Sequence, residues 1–159
     1  MNSSGVNLAL LLIGGFRSLV DAAHIELAQR GHPDFRSVHE FAMRAIVAGA
    51  KNASELGRYL SVSKQAAAKT IVVLQERGYV TRDPDPDDAR SKRLQVTSLG
   101  FAAMQRGAAI FDELRDKWAD TIGLAQIESL EKCLSVLVGT MPERLNIPGW
   151  IAQNGSEPD

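Results

Sequence analysis

Aromatic side chains are scarce, at 6% of the 159 residues, while 45% are hydrophobic, so any core must be aliphatic. There is a single cysteine, Cys133, which excludes an internal disulfide and points to a reducing, cytoplasmic setting. No stretch holds the roughly 18 consecutive apolar residues of a membrane span. The run Leu8–Ile13 is short, has no basic region ahead of it and is followed by Gly14, Gly15 and Arg17. Neither a membrane partner nor a leader peptide is expected.

Chemistry-bearing groups are also few. His32 and His39 are seven apart with Pro33 between them, and with His24 they carry no cysteine nearby, so no metal site is expected. Asp83, Asp85 and Asp87 imitate the start of a calcium loop. Such a loop needs Gly at its sixth position and Glu at its twelfth, where Asp88 and Leu94 stand. Gly14-Gly15 lacks the Lys-Ser/Thr of a phosphate loop and suits close helix packing. No nucleophile–base pair is evident, so the chain reads as neither an enzyme nor a cofactor protein. Cys133, with Lys132 as its nearest cation, reads as a buried packing thiol.

What the chain does have is uneven charge. The formal net charge is −1, yet residues 51–93 carry a net of +3 and the rest −4. A basic island in an acidic chain suits one surface facing a polyanion.

Helical periodicity dominates the pattern. Leu12, Phe16, Leu19, Ala23 and Leu27 step by three or four within a helix over 6–30, closed by Gly31 and Pro33. Further helices fit 36–48, 54–60 with Ser54 as N-cap, and 64–77 with Ser63 as N-cap and Gly78 as stop. Tyr79-Val80-Thr81 and Leu94–Val96 read as strands around a turn-rich loop, Asp83–Asp88, whose prolines cannot donate to a ladder. Thr97 or Ser98 then opens a helix with Phe101, Met104, Ala108, Phe111, Leu114, Trp118 and Ile122 in one stripe, broken at Gly123. A last helix carries Ile127, Leu130, Leu134, Leu137 and Met141 and ends at Pro142. The final stripes form a seam that needs a partner, either the first helix or a second subunit.

The centre holds the functional signal. Leu56, Leu60, Val62 and Ala67 fit two helices joined by a tight turn, and Gly57 lacks a side chain where they would cross. Ala67, Ile71 and Leu74 give the second helix its buried face, leaving Lys64, Gln65, Ala68 and Lys69 outward. That composition suits a recognition helix: Gln pairs with adenine, Lys reaches guanine or phosphate, and small residues let the backbone approach. Ser63 at the helix start can meet a phosphate. A hairpin after such a helix acts as a wing in the neighbouring groove.

These stretches, Tyr59–Lys69, Leu74–Val80, Asp83–Arg93 and Val96–Gly100, resemble the multiple-antibiotic-resistance regulator (MarR) family. The wing signature, an Asp two residues before an Arg with basic residues behind, is met by Asp88, Arg90, Lys92 and Arg93. The Thr-x-x-Gly entry to the next helix is met by Thr97 and Gly100. Two departures are Ser61, where the turn often has Gly, and the bare Ala67-Ala68 pair.

The resemblance implies a mainly α fold with a small β-hairpin wing (α+β). Residues 1–34 supply an N-terminal dimerisation helix, 35–97 the winged helix-turn-helix, 98–145 the C-terminal dimerisation helices and 146–159 a tail. It implies a homodimer on double-stranded DNA, at a pseudo-palindromic operator, often as a repressor released by a small molecule. Leu12, Leu19, Phe111, Trp118, Ile127, Leu130, Leu134 and Leu137 are the expected dimer residues. Phe16, His24, Phe35, His39 and Phe41 are expected to line a crevice for a small aromatic or anionic effector. The competing reading is a winged-helix module that binds protein rather than DNA.

Overall fold

The computed structural model describes residues 3–139. Helices α1 (Ser4–Gln29), α2 (Ser37–Val47), α3 (Ala53–Leu60) and α4 (Lys64–Glu76) precede an antiparallel hairpin, β1 (Val80–Asp85) with β2 (Asp88–Val96). Helices α5 (Ser98–Ile122) and α6 (Leu124–Val138) follow. This is the expected winged helix-turn-helix with long helices at either end. Met141, Pro142 and the tail from 146 lie outside the described residues.

Local chemistry explains most boundaries. Ser63 Oγ accepts from the Ala66 amide, and Thr97 Oγ1 from the Gly100 amide, so each hydroxyl satisfies an orphan donor of its helix. Gly78 ends the α4 segment with φ +72°, a left-handed conformation that a Cβ disfavours. The α3 cap differs from the sequence reading. Asn52, not Ser54, starts the helix, its Oδ1 accepting from the Glu55 amide while Glu55 Oε2 accepts from the Lys51 amide. Helix α6 ends ahead of Gly139, at φ +81°, rather than at Pro142.

The hairpin is longer than expected, because β1 runs through Pro84 to Asp85. Two features admit the proline. The sheet has only two strands, and the register shifts between Pro84 and Asp85, so that Asp85 faces Asp88 while Pro84 faces Lys92.

One aliphatic core joins α1, α2, α3, α4, the hairpin and α5, centred on Met43, Leu56, Leu60, Ile71, Leu74 and Ile110. On α5 the buried face is Gly100, Ala103, Gly107, Ile110 and Leu114, of which only Leu114 belongs to the expected stripe. Small residues let α5 lie close to its neighbours, while Phe101 and Ile122 are exposed. Cys133 is exposed, against the expectation of a buried thiol. Of the expected dimer residues, Ile127 is buried within its own chain, where α6 follows α5 through Gly123. Trp118 lies over α1 of the same chain, since a Cβ at Gly15 would come within 3.5 Å of its ring.

Helix α1 changes character along its length. Val20, Ala23 and Leu27 are buried, whereas Val6, Leu8, Leu10, Leu11, Leu12 and Ile13 are all exposed. By length and composition alone it could cross a membrane, a property missed by looking only for uninterrupted apolar residues. Its second half instead packs in the core and is tied to α5 by Arg30–Glu113 and Lys117–Glu26 ion pairs.

Candidate nucleic-acid interface and interhelical cleft

The crossing of α3 and α4 rests on a missing side chain. A Cβ at Gly57 would lie 2.9 Å from the Val62 carbonyl oxygen and 3.4 Å from the Lys64 nitrogen. Ser61 takes the left-handed turn position at φ 55°, alone among the described non-glycine residues. Ala67, Ile71 and Leu74 then face inward. Ser63, Lys64, Gln65 and Lys69 are exposed, and Ala68 is half-buried. Helix α4 thus presents cations and an amide from its first two turns.

The wing is anchored at both ends. At its base, Thr97 Oγ1 donates to the Gly78 carbonyl at 2.6 Å, and a Cβ at Gly100 would fall 2.3 Å from the Tyr79 carbonyl oxygen. Only glycine fits there, which explains the Thr-x-x-Gly pattern. Near the tip, Asp85 is buried, although the sequence placed it in a turn-rich loop. Its Oδ1 accepts from the Asp87 amide and its Oδ2 meets Lys51 Nζ at 3.3 Å, with Arg93 4.0 Å away. The Asp87 amide first, then Lys51 and Arg93, holds this carboxyl below the usual range. Lys51 also accepts the Leu94 amide on its carbonyl, so the loop before α3 grips β2. Sequence reasoning missed both Lys51 and Asp85, since only the fold brings them together.

Arg90 and Lys92 are exposed on β2, and Arg93 is half-buried beside Asp85. Asp88 Oδ1 accepts the backbone amide of Arg90 at 3.1 Å. It therefore shapes the turn of the wing through the backbone. Arg82 on β1 is a further exposed cation.

The five residues expected around an effector divide into two sets. Phe16 and Phe41 stack with centroids 6.4 Å apart and line a cleft of about 360 Å³ between α1, α2 and α5. Glu40, Arg44 and Phe111 share that wall. Phe35, His24 and His39 are not among its lining residues. Phe35 packs edge-on against His39 and Tyr79. Both histidines serve the start of α2 instead: His24 Nε2 accepts the Ser37 amide at 2.9 Å, and His39 Nδ1 accepts the Arg36 amide at 3.0 Å. Burial, then the Arg36 charge, lowers the His24 pKa. Burial, then Arg77 and Arg36, pushes His39 down to about 4. Neutral imidazoles are what these acceptor roles require.

Glu40 and Arg44 carried no sequence signal beyond being a polar pair four apart on α2. Glu40 is buried, and burial raises its carboxyl, opposed by Arg44. Among the described residues no group of three or more His, Cys, Asp and Glu could hold a metal.

Residues 41–91 match the sequence model of the MarR family. The whole fold matches solved structures of that family. In fold the chain resembles those structures. Wild-type apo MarR from E. coli superimposes with a TM-score of 0.67 at 19% identity, covering 89% of this chain and 99% of that one. CouR from Rhodococcus jostii RHA1, solved bound to p-coumaroyl-CoA, gives 0.60 at 20% identity, covering 88% and 96%. An S. aureus MepR F27L mutant bound to an oligodeoxyribonucleotide gives 0.56 at 15% identity, covering 85% and 98%. No curated protein matches the chain in sequence. The chain thus shares the architecture of these proteins over nearly its whole described length.

Proposed function

We propose that this MarR-like chain is a homodimeric, sequence-specific DNA-binding transcription regulator, a ligand-responsive repressor rather than an enzyme. The observation that carries the reading is the outward set Lys64, Gln65 and Lys69 on α4, joined by Arg82, Arg90 and Lys92 on the wing. A helix of this composition reads base edges in the major groove, and Ser63 and Lys92 meet phosphates. Arg90, at the register shift of the wing, enters the minor groove, where the potential is most negative.

Homodimerisation is supported by apolar surface at both ends of the chain. Leu10, Leu11 and Ile13 on α1, with Val136 and Leu137 on α6, are exposed, Leu137 at 81%. Burying each such side chain contributes about 1.5–3 kcal/mol. Two recognition helices related by a two-fold axis then demand a pseudo-palindromic operator, its half-sites about 10 bp apart or a multiple of that. The cleft lined by Phe16, Phe41 and Phe111 is the candidate effector site.

Selection of bound fragments from genomic DNA, followed by footprinting of the enriched site, tests the reading. A symmetric footprint whose affinity falls steeply with salt is expected. Absence of any enriched sequence, with salt-insensitive capture of protein instead, would leave the interaction-module reading in its place.

A further inference from the structure

We propose that Arg77, at the end of α4, is a positioning residue that sets the separation of the two recognition helices in the dimer, and with it the half-site spacing that the regulator accepts. The proposal rests on the DNA-binding homodimer reading above.

Helix α4 belongs rigidly to the winged domain. Its inner face, Ala67, Ile71 and Leu74, is buried, and Gly57 lets α3 cross it closely. Beyond Leu74 the burial fades: Gln75 and Arg77 are half-buried and Glu76 is exposed. Here directional bonds take over from apolar packing, which by itself fixes no angle. Arg77 Nη1 donates to the Asp34 carbonyl at 2.7 Å and lies 3.4 Å from His39 Nδ1. A charged donor makes this one of the stronger kinds of hydrogen bond. The next residue, Phe35, is buried and packs edge-on against Tyr79, with centroids 6.1 Å apart. Arg77 and Tyr79 thus hold successive residues of the segment between α1 and α2.

That segment is fastened to α1 at both ends. The His32 amide donates to the Leu27 carbonyl at 2.8 Å, and the Ser37 amide donates to His24 Nε2 at 2.9 Å, with Leu27 and His24 both on α1. On the other side Thr97, the N-cap of α5, donates its hydroxyl to the Gly78 carbonyl. The end of α4 is therefore tied to both long helices, α1 through Arg77 and α5 through Thr97. Lys64, Gln65 and Lys69 lie toward the opposite end of α4. The helix has 13 residues and spans about 20 Å, so rotating the domain by roughly 10° about Arg77 displaces the helix start by about one base-pair rise.

Fluorescence anisotropy of the full chain tests this on the enriched genomic operator and on copies with one base pair inserted or removed at its centre. Wild type should lose roughly tenfold or more in affinity on either altered copy. Arg77→Met keeps a long unbranched side chain without a donor. It should bind all three within about threefold of one another, with half-site base preference and dimerisation unchanged. Arg77→Lys retains a charged donor for the Asp34 carbonyl and should restore most of the discrimination. Spin labels at Gln65→Cys of both protomers, in a Cys133→Ser background, read the same separation without DNA. One narrow distance distribution is expected, broadened by Arg77→Met, and it decides the matter if Arg77→Met binds no operator. A wild-type spacing profile in Arg77→Met overturns the proposal, as does an equal loss at every spacing or a wild type indifferent to spacing. A wild type that is monomeric, or that enriches no operator, overturns the DNA-binding reading and this proposal with it.

Discussion

Lys51, in the loop before α3, reaches Asp85 at the end of β1 with Nζ 3.3 Å from Oδ2, while its carbonyl accepts the Leu94 amide of β2. One residue of the helical domain thus holds the wing at two points. Asp85→Ala should free the wing without unfolding the domain. The Leu94 amide should exchange faster with solvent and operator affinity should fall, with the melting temperature nearly unchanged. Unaltered exchange at Leu94 would show that the wing needs no such anchor.

Gly57→Ala reports on the helix crossing. In an open helix this change gains roughly 1 kcal/mol. Here the new Cβ would meet the Val62 carbonyl at 2.9 Å, a backbone atom that cannot swing aside. A loss of about 1–3 kcal/mol is expected in urea unfolding, with weakened DNA binding. A stabilised variant would place α3 and α4 farther apart than described.

His39 predicts a pH dependence. Its folded pKa, about 4, lies below the ordinary value of 6.5, so the unfolded chain takes up the proton first as pH falls. Its contribution is fully present above about pH 6.5 and lost as pH falls through 4, on the order of 3 kcal/mol. His39→Asn places an Oδ1 where Nδ1 accepts the Arg36 amide, and should flatten the decline between pH 6.5 and 4. Urea midpoints at pH 7, 5 and 4 check this, and identical slopes in both proteins would refute it.

Arg90→Ala should leave folding and dimerisation unchanged, because the side chain is exposed. Operator binding should weaken by about 1–3 kcal/mol, and Arg90→Lys should not restore it, since an ammonium cannot reproduce the planar fork. Lys69→Ala should act through the major groove, with an effect that varies with operator sequence. Wild-type affinity and salt slope in Arg90→Ala would rule out DNA reading by the wing.

Leu11→Asp and Leu137→Asp alter side chains that are 64% and 81% exposed within one chain. Each should leave helicity intact and convert a dimer to a monomer in light scattering, with loss of operator binding. A monomeric wild type at micromolar concentration would end the dimer reading.

Much of this fold was legible in the sequence because its determinants are local. The Ser63 and Thr97 caps, the Gly78 stop and the Ala67–Ile71–Leu74 stripe act within a turn or two, and Gly57 clears a crossing only five residues on. The exposed cations of α4 and the wing followed from those same patterns. The rest depends on approach between distant segments. Asp85 looked like one more solvated aspartate until Lys51, 34 positions earlier, was folded against it. His24 and His39 looked like pocket residues, but Ser37 and Arg36 needed acceptors at the start of α2. Glu40 looked like an ordinary surface partner of Arg44 until Gly107 of α5 closed over its second oxygen. Sequence by itself determined the elements and their outward charges, because hydrogen-bond caps and helical periodicity are short-range. Only the tertiary structure decided which polar groups lost their water, because burial depends on which surfaces meet.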